Sequence, residues 1–150
     1  MTQSSLKQHL TDEMKAALRA RDRARLDAIR LIQAEIQRVE VDERISVDDS
    51  RVLAILDRMT KQRRDAITQY EAAGRADLAA REQAEIEVIA GFLPTPLSAT
   101  EIDAMIDAAI ATAGATTARD MGKVMAILKP QLQGRTDLGA VSALLKARLA

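Results

Sequence analysis

Apolar residues in the first part of the chain recur every three or four positions, which is the period of one face of an α-helix. The pattern extends from Leu6 to Leu18, from Leu26 to Val39, from Val52 to Tyr70 and from Leu78 to Leu93. The alternating pattern of a half-buried strand is absent. This part of the sequence therefore predicts a bundle of about four amphipathic helices.

Residues that favour helix ends refine these predictions. Ser4 and Ser5 are expected to cap the first helix, with Gln8 completing a capping box. Ser46 is the predicted N-cap of the third helix, because two aspartates follow it in the expected first turn. Gly74 is expected to end that helix.

The prolines of the chain all follow residue 93, and Pro94 with Pro96 prevents the fourth helix from continuing. Start and stop signals for three shorter helices come next: Ser98 with Glu101, Gly114, Thr117 with Asp120, and Gly134. We therefore predict an all-α protein with an N-terminal helical domain at residues 1–93 and a small three-helix domain at residues 97–150. No helical repeat of fixed length is visible.

The composition excludes several kinds of chemistry. The chain has 150 residues, of which 47% are hydrophobic and 29% charged, as in a folded globular protein. Cysteine is absent and His9 is the single histidine, which excludes disulfides, thiolate metal sites and two-histidine metal sites. We expect His9 to be a solvated surface residue. No glycine-rich phosphate loop occurs, so we predict no catalytic residues, no metal and no other cofactor.

Targeting patterns are also missing from the sequence. It contains no run of 18 consecutive apolar residues, and its first residues lack the order of a signal peptide. We therefore expect a cytoplasmic protein without a membrane partner. The sequence does not predict an oligomeric state.

Two basic clusters occur in the first part of the chain. They are Arg19, Arg21, Arg23 and Arg25 at the junction of the first two helices, and Lys61, Arg63 and Arg64 in the third helix. Because Asp22, Asp27 and Asp65 lie beside them, we expect salt bridges to neutralise both clusters. The chain has 22 basic and 22 acidic residues, and this zero net charge argues against strong non-specific binding of nucleic acid by the whole molecule.

The C-terminal end has a different charge balance. Residues 119–150 hold six basic residues against Asp120 and Asp137, a local charge of +4 that can attract phosphates. Gly122 lies inside a predicted helix, where glycine costs about 1 kcal/mol relative to alanine. It indicates close approach by a neighbouring helix or by a ligand, and packing against a helix is the favoured interpretation.

The segment Met121–Met125, followed by Gly134, Arg135 and Asp137, resembles the C-terminal module shared by YqeY-like proteins and the B subunit of the tRNA-dependent Asp/Glu amidotransferase. Further segments resembling YqeY-like proteins occur earlier in the chain: Asp22 to Arg30, Lys61 to Arg64, Ala73 to Asp77, and Phe92 to Leu97. The resemblance covers nearly the whole chain. From Arg135 to Gly139 the sequence agrees better with YqeY-like proteins than with the amidotransferase tail.

This resemblance implies an all-helical protein, and it suggests a role. The related amidotransferase tail helps that enzyme to grip tRNA. We therefore expect a non-catalytic accessory protein that binds tRNA or a tRNA-dependent amidotransferase complex, with its subunits or another tRNA-related protein as partners. One alternative is an adaptor that binds a partner's helix through the third and fourth helices, leaving an exposed apolar stripe there. The weakest alternative is the family label of a carbon–nitrogen ligase with glutamine as amide donor.

The resemblance also implies a binding site in the C-terminal part. The candidate nucleic-acid-binding residues are Arg119, Gly122, Lys123, Lys129, Gly134 and Arg135. The cationic side chains would contact phosphates, and the two glycines would permit close approach of an RNA backbone. With Tyr70 and Phe92 expected to be buried, no aromatic platform would stack unpaired bases. We therefore expect recognition through RNA shape and backbone.

Overall fold

A computed structural model describes residues 5–150, and within this range the chain forms seven α-helices and no β-strand. The prediction of an all-α protein is confirmed. The chain divides between Pro94 and Thr95 into two compact units, which we call the N-terminal unit and the C-terminal unit. The separate folding of residues 1–93 and 97–150 as domains stays a prediction. In residues 5–150, no helix combines the length and the apolar character needed to cross a membrane.

The N-terminal unit contains four helices: α1 (Ser5–Ala20), α2 (Arg23–Glu43), α3 (Asp49–Ala72) and α4 (Ala76–Ala90). Helix α1 packs on α2, and α3 packs on α4. Their apolar faces meet in one core, where Ile29, Ile32 and Leu56 are fully buried. Burying a side chain of this size stabilises the folded state by about 1.5–3 kcal/mol.

A contact between helices holds the start of α1. The Ser5 hydroxyl donates to Oδ2 of Asp49 at 2.6 Å, and the Leu6 N–H donates to Oδ1 of the same carboxylate at 3.0 Å. The Gln8 side chain donates to the Asp12 carboxylate one turn later. The capping box predicted for Ser4, Ser5 and Gln8 stays a prediction. Ser4 lies outside the described residues. The first turn of α1 thus depends on a carboxylate of α3.

Helix α3 begins later than predicted. Its N-cap is Asp48, whose carboxylate accepts from the Arg51 N–H at 2.8 Å, and not Ser46. Val47 is buried, and its N–H donates to the Glu40 carboxylate of α2 at 2.9 Å. Because this bond ties the chain to α2, the segment before Asp48 is held outside the helix.

The C-terminal ends of α3 and α4 differ in how well the sequence predicted them. Gly74 has a φ of +72° at the end of α3, as predicted. Helix α4 ends at Ala90 and does not reach Leu93, because the Gly91 N–H bonds the Val88 carbonyl and tightens the last turn. Phe92 follows the helix and is buried.

The C-terminal unit contains three helices: α5 (Ala99–Ala113), α6 (Met121–Leu132) and α7 (Leu138–Leu149). Its separate core includes Ile106, Leu128 and Leu145, which are fully buried. The predicted cap at Ser98 is confirmed, since its hydroxyl oxygen accepts from the Glu101 N–H at 3.2 Å. Gly114 ends α5 with a φ of +63°.

The predicted capping box of Thr117 and Asp120 is also present. It opens a short 3-10 turn, Ala118–Asp120, which continues directly into α6. The candidate residues of the C-terminal unit therefore lie in one continuous segment, which consists of this turn, α6 and the loop before α7.

Candidate nucleic-acid interface

The first end of α6 carries two of the candidate cations. Arg119 lies in the 3-10 turn and Lys123 in the first turn of α6, and both are exposed. Asp120 lies between them in sequence. It accepts from the backbone N–H groups of Thr116 at 3.0 Å and Thr117 at 3.3 Å, which hold its pKa below the usual range, and the charge of Lys123 adds to this effect. This carboxylate is therefore engaged in capping.

The other end of α6 carries the remaining cations of the candidate set. Lys129 is exposed in the last turn, and Arg135 is half-buried in the loop that follows. The Arg135 backbone is fixed, because its N–H donates to the Leu132 carbonyl at 2.9 Å and its carbonyl accepts from the Leu97 N–H at 3.0 Å. Its Nε atom is buried without a hydrogen-bond partner among the described residues. Only the exposed part of this half-buried side chain is therefore accessible to a phosphate.

Lys123 and Arg135 lie at opposite ends of α6. With a rise of about 1.5 Å per residue, the stretch from Lys123 to the end of the helix measures roughly 13 Å along the axis. The two side chains are therefore placed for separate phosphates along a strand, and not for a single anion.

The two candidate glycines have different explanations. Gly134 is buried with a φ of +78°, so the turn that closes α6 accounts for it. Gly122 is exposed, and a Cβ atom added there would have no neighbour within 4 Å among the described residues. The interpretation of Gly122 as a helix-packing glycine is wrong. Its approach to a ligand stays a prediction.

Every carboxylate side chain of the C-terminal unit has a partner within that unit. Asp103 and Asp107 of α5 both bind the Arg148 guanidinium, the first at 3.0 Å. Glu101 accepts from the Ser98 hydroxyl, and Asp137 accepts from a backbone N–H at the start of α7. Asp120 is engaged as described above.

The cations of this unit are placed differently. Within residues 5–150, five of them form no salt bridge: Arg119, Lys123, Lys129, Arg135 and Lys146. Arg148 is the exception. The local positive charge predicted for this end is thus carried by side chains that the fold does not neutralise.

Helices α6 and α7 repeat one short pattern, which the sequence reasoning missed. Residues 121–132 and 138–149 are identical at half of their positions, and an aspartate precedes each segment. The shared residues are Gly122 and Gly139, Val124 and Val141, Ala126 and Ala143, Leu128 and Leu145, Lys129 and Lys146, and Leu132 and Leu149. Val and Leu of both copies are buried, whereas Gly, Ala and Lys are exposed. Aligning the two helices on their buried residues would have revealed the repeat, in which Lys146 of α7 is the equivalent of Lys129 of α6.

The basic clusters of the N-terminal unit are neutralised only in part, and by other residues than predicted. Arg25 binds Glu13 of α1 at 3.1 Å, and Arg63 binds Glu85 of α4 at 2.8 Å. Within residues 5–150, none of the predicted aspartates forms a salt bridge: Asp22, Asp27 and Asp65. The remaining arginines and lysine of both clusters are exposed. The prediction that the clusters are locally neutralised is therefore wrong.

The aromatic residues also differ from their predicted environments. Phe92 is buried as predicted, but Tyr70 is only half-buried near the end of α3. His9 is exposed as predicted, and its ring also packs edge-on against Phe92 at a centroid distance of 5.2 Å. All of these residues belong to the N-terminal unit. The C-terminal unit contains no aromatic residue, so stacking on bases is not available there.

The adaptor alternative requires an exposed apolar stripe on α3 or α4. Among residues 5–150, the large apolar side chains that are exposed lie elsewhere: Leu18, Leu31, Val41, Ile45 and Leu144. The criterion for an adaptor that uses α3 and α4 is therefore not met. In the same range, no group of three or more His, Asp and Glu side chains is arranged to hold a metal ion.

Comparisons with known proteins found one matching family model and several relatives. A family model described as "Yqey-like protein" matches residues 7–149. Altered inheritance of mitochondria protein 41, mitochondrial, from Pyrenophora tritici-repentis is 29% identical over 126 residues, which cover 80% of this chain and 69% of that protein. The protein of the same name from Eremothecium gossypii is 33% identical over 103 residues, or 67% of this chain and 56% of that protein. An uncharacterized protein from Schizosaccharomyces pombe is 32% identical over 92 residues, or 61% of this chain and 72% of that protein.

Proposed function

Because the chain belongs to the YqeY-like protein family, we propose that it is a non-catalytic accessory protein whose C-terminal unit binds the phosphate backbone of tRNA. The site comprises Arg119, Lys123, Lys129 and Arg135, together with Lys146, which the helix repeat adds. The proposal includes a tRNA-dependent amidotransferase or a similar complex as the setting, by analogy with the amidotransferase tail. It assigns no chemical step to this chain.

One observation carries the proposal: the carboxylates of the C-terminal unit are engaged, while five of its cations have no salt bridge among the described residues. A cation that is already paired gains little from binding a phosphate, because the old pair must be broken. An unpaired, solvated cation releases the counterions of the polyanion and so contributes directly to affinity. The zero net charge of the whole chain does not oppose this local effect.

The proposed mode of binding is recognition of the backbone. Lysine and arginine contact phosphates without reading base identity, and the C-terminal unit has no aromatic ring for stacking. Gly122 leaves open space on the exposed side of α6, which would let a sugar–phosphate backbone lie close to the helix. Binding should therefore depend on RNA shape and salt more than on sequence.

A titration with purified tRNA tests this proposal. We expect the Lys123→Ala/Arg135→Ala variant to bind tRNA at least about tenfold more weakly than the native chain at 0.1 M salt, because two phosphate contacts are lost. The matched control is Arg64→Ala/Arg81→Ala, which removes the same charge from exposed positions of α3 and α4. Equal affinities for the native chain and the first variant would exclude the site.

The location of the protein forms a separate part of the proposal. We propose the cytoplasm, which is the expectation from the sequence. The relatives from Pyrenophora and Eremothecium are named as mitochondrial proteins, and the chain spans little more than half of the Eremothecium protein. Cell fractionation of the organism that makes this chain would decide the compartment.

A further inference from the structure

The turn between α1 and α2 displays three arginines, Arg19, Arg21 and Arg23, which we call the arginine corner. All three are exposed, and none forms a salt bridge within residues 5–150. Residues 15–23 also contain Lys15, and their single carboxylate is Asp22. This short stretch therefore carries a concentrated positive charge.

Hydrogen bonds hold the backbone of the arginine corner. The Arg21 N–H bonds the Leu18 carbonyl at 3.2 Å, and the Asp22 N–H bonds the Ala17 carbonyl at 3.0 Å, as in a Schellman motif. The Asp22 carboxylate then accepts from the Arg25 N–H at 3.2 Å and caps α2. The nearest carboxylate in sequence thus fixes the turn, and it forms no salt bridge with the arginines.

Arg21 occupies an unusual backbone conformation for its residue type. Its φ is +58°, in the left-handed region, which costs an L-residue roughly 1–2 kcal/mol. Glycines fill the left-handed positions that follow α3, α5 and α6. Arg44, which follows α2, has a similar φ of +56°, so this conformation holds the Arg21 side chain at the turn but does not by itself indicate a use for it.

The fourth arginine of this region has a structural role. The Arg25 guanidinium lies 5.8 Å from the centroid of the Phe92 ring, and it binds Glu13 at 3.1 Å. These contacts hold the segment after α4 against α1 and α2. The guanidinium groups of the arginine corner have no comparable contact, which separates them from Arg25 in function.

We infer that the arginine corner is a second RNA-contact surface, at which Arg19, Arg21 and Arg23 bind phosphates of a base-paired RNA backbone. The planar guanidinium donates two parallel hydrogen bonds to a phosphate, and a preformed turn lowers the entropy lost on binding. The identification of RNA as the ligand rests on the proposed function of the C-terminal unit.

The surroundings of the corner favour RNA over a protein or a membrane. Its one exposed large apolar neighbour is Leu18, whose side chain is 54% exposed. Protein interfaces depend on a buried cluster of apolar or aromatic anchors, and a membrane-bound helix needs a broad apolar face. A single leucine beside several arginines provides neither, whereas phosphate binding requires only the cations.

The test compares two triple variants in tRNA titrations over a range of salt. For Arg19→Gln/Arg21→Gln/Arg23→Gln, we expect at least about tenfold weaker binding at 0.1 M salt and a slope of log affinity against log salt that is less steep by about two to three. The control, Arg44→Gln/Arg64→Gln/Arg81→Gln, removes the same charge and also includes an arginine with positive φ, at position 44. It should bind within about twofold of the native chain.

The other outcomes either overturn the inference or separate it from the proposed function. Retained affinity in the corner variant would exclude the surface, and an equal loss in the control would show diffuse attraction only. If binding to phosphatidylglycerol vesicles or to an acidic protein falls while tRNA binding is retained, the ligand is not RNA. The Lys123→Ala/Arg135→Ala variant separates the two proposals: if it binds normally while the corner variant is impaired, the C-terminal site fails and the corner stands. Circular dichroism checks that each variant is folded.

Discussion

Six of the sixteen cations of the N-terminal unit form salt bridges, four of them between helices, whereas in the C-terminal unit one of six cations, Arg148, does so among the described residues. Four salt bridges join neighbouring helices of the first unit: Lys7 with Glu40, Arg25 with Glu13, Arg51 with Glu43, and Arg63 with Glu85. In the second unit, Arg148 alone joins two helices in this way among the described residues. The net charge counts paired and unpaired cations alike. Their availability to a polyanion, however, depends on whether a carboxylate already binds them within the fold.

The carboxylates also have different uses in the two units. In the C-terminal unit they cap helices or hold Arg148, and none of them forms a salt bridge with a cation of α6 among the described residues. In the N-terminal unit, Glu40 binds both Lys7 and the backbone of Val47, and it thereby connects α1, α2 and the segment before α3. The N-terminal unit, with 16 basic and 17 acidic residues, is thus connected by ion pairs between its helices, whereas the C-terminal unit, with six basic and five acidic residues, leaves five cations without a salt bridge among the described residues.

The largest expected effect on stability tests the structural role of paired cations. We expect Arg63→Met to lower the free energy of unfolding by about 2 kcal/mol, because it leaves the half-buried Glu85 without its partner. The comparison variant is Lys129→Met, which removes an exposed, unpaired cation and should change stability by less than about 0.5 kcal/mol. Urea unfolding of both variants measures the difference. Equal losses would contradict the distinction between the two units.

A smaller effect is expected at the glycines of the helix repeat. Gly122→Ala should stabilise the protein by about 0.5–1 kcal/mol, because alanine favours the helix and its methyl group meets open space. Gly139→Ala should give less, since its Cβ would lie 3.3 Å from Oδ1 of Asp137. Thermal unfolding of the two variants checks this order. A destabilised Gly122→Ala variant would show that this side of α6 is packed.

The smallest expected effect concerns pH. The hydrogen bond from Lys7 and then the N–H of Val47 lower the pKa of Glu40 from its usual value of 4.5. A carboxyl group whose pKa is lowered in the folded state stabilises the protein at pH values above its pKa in the unfolded state. This stabilisation is lost as the pH falls through the pKa of the folded state. Between pH 6 and pH 3, Glu40→Gln should therefore lose less stability than the native chain, by up to about 1 kcal/mol. Unfolding experiments measure this difference. An equal loss of stability in the native chain and in Glu40→Gln would contradict this assignment.

The helices of this protein were predictable from local patterns, and several of their ends were not. Ser98 and Gly114 were predicted correctly, because the residues that cap α5 lie next to it in the sequence. The start of α1 depends on Asp49 from α3, and the segment before α3 is held by Glu40 from α2. No local pattern contains these contacts, since they form only when the helices pack.

The ion pairs were mispredicted for the same physical reason. Asp22 and Asp65 lie beside the basic clusters in sequence, but Glu13 and Glu85 reach Arg25 and Arg63 from neighbouring helices. Partner choice is therefore a property of helix packing.

The candidate site was predictable only in its composition. The count of basic and acidic residues showed a cationic end of the chain, but the sequence could not show that Gly134 is buried and that Gly122 is open. The equivalence of Lys129 and Lys146 was present in the sequence, and it became clear once the buried positions of α6 and α7 were known.

The most direct test of the central claim is the slope of log affinity for tRNA against log salt, since this slope counts the phosphates that a surface neutralises. The unpaired cations of the C-terminal unit predict a slope that is less steep by about two in Lys123→Ala/Arg135→Ala than in the native chain. The same slope should remain unchanged in Arg64→Ala/Arg81→Ala. Identical slopes for the native chain and Lys123→Ala/Arg135→Ala would contradict the account, because these two cations would then contact no phosphate.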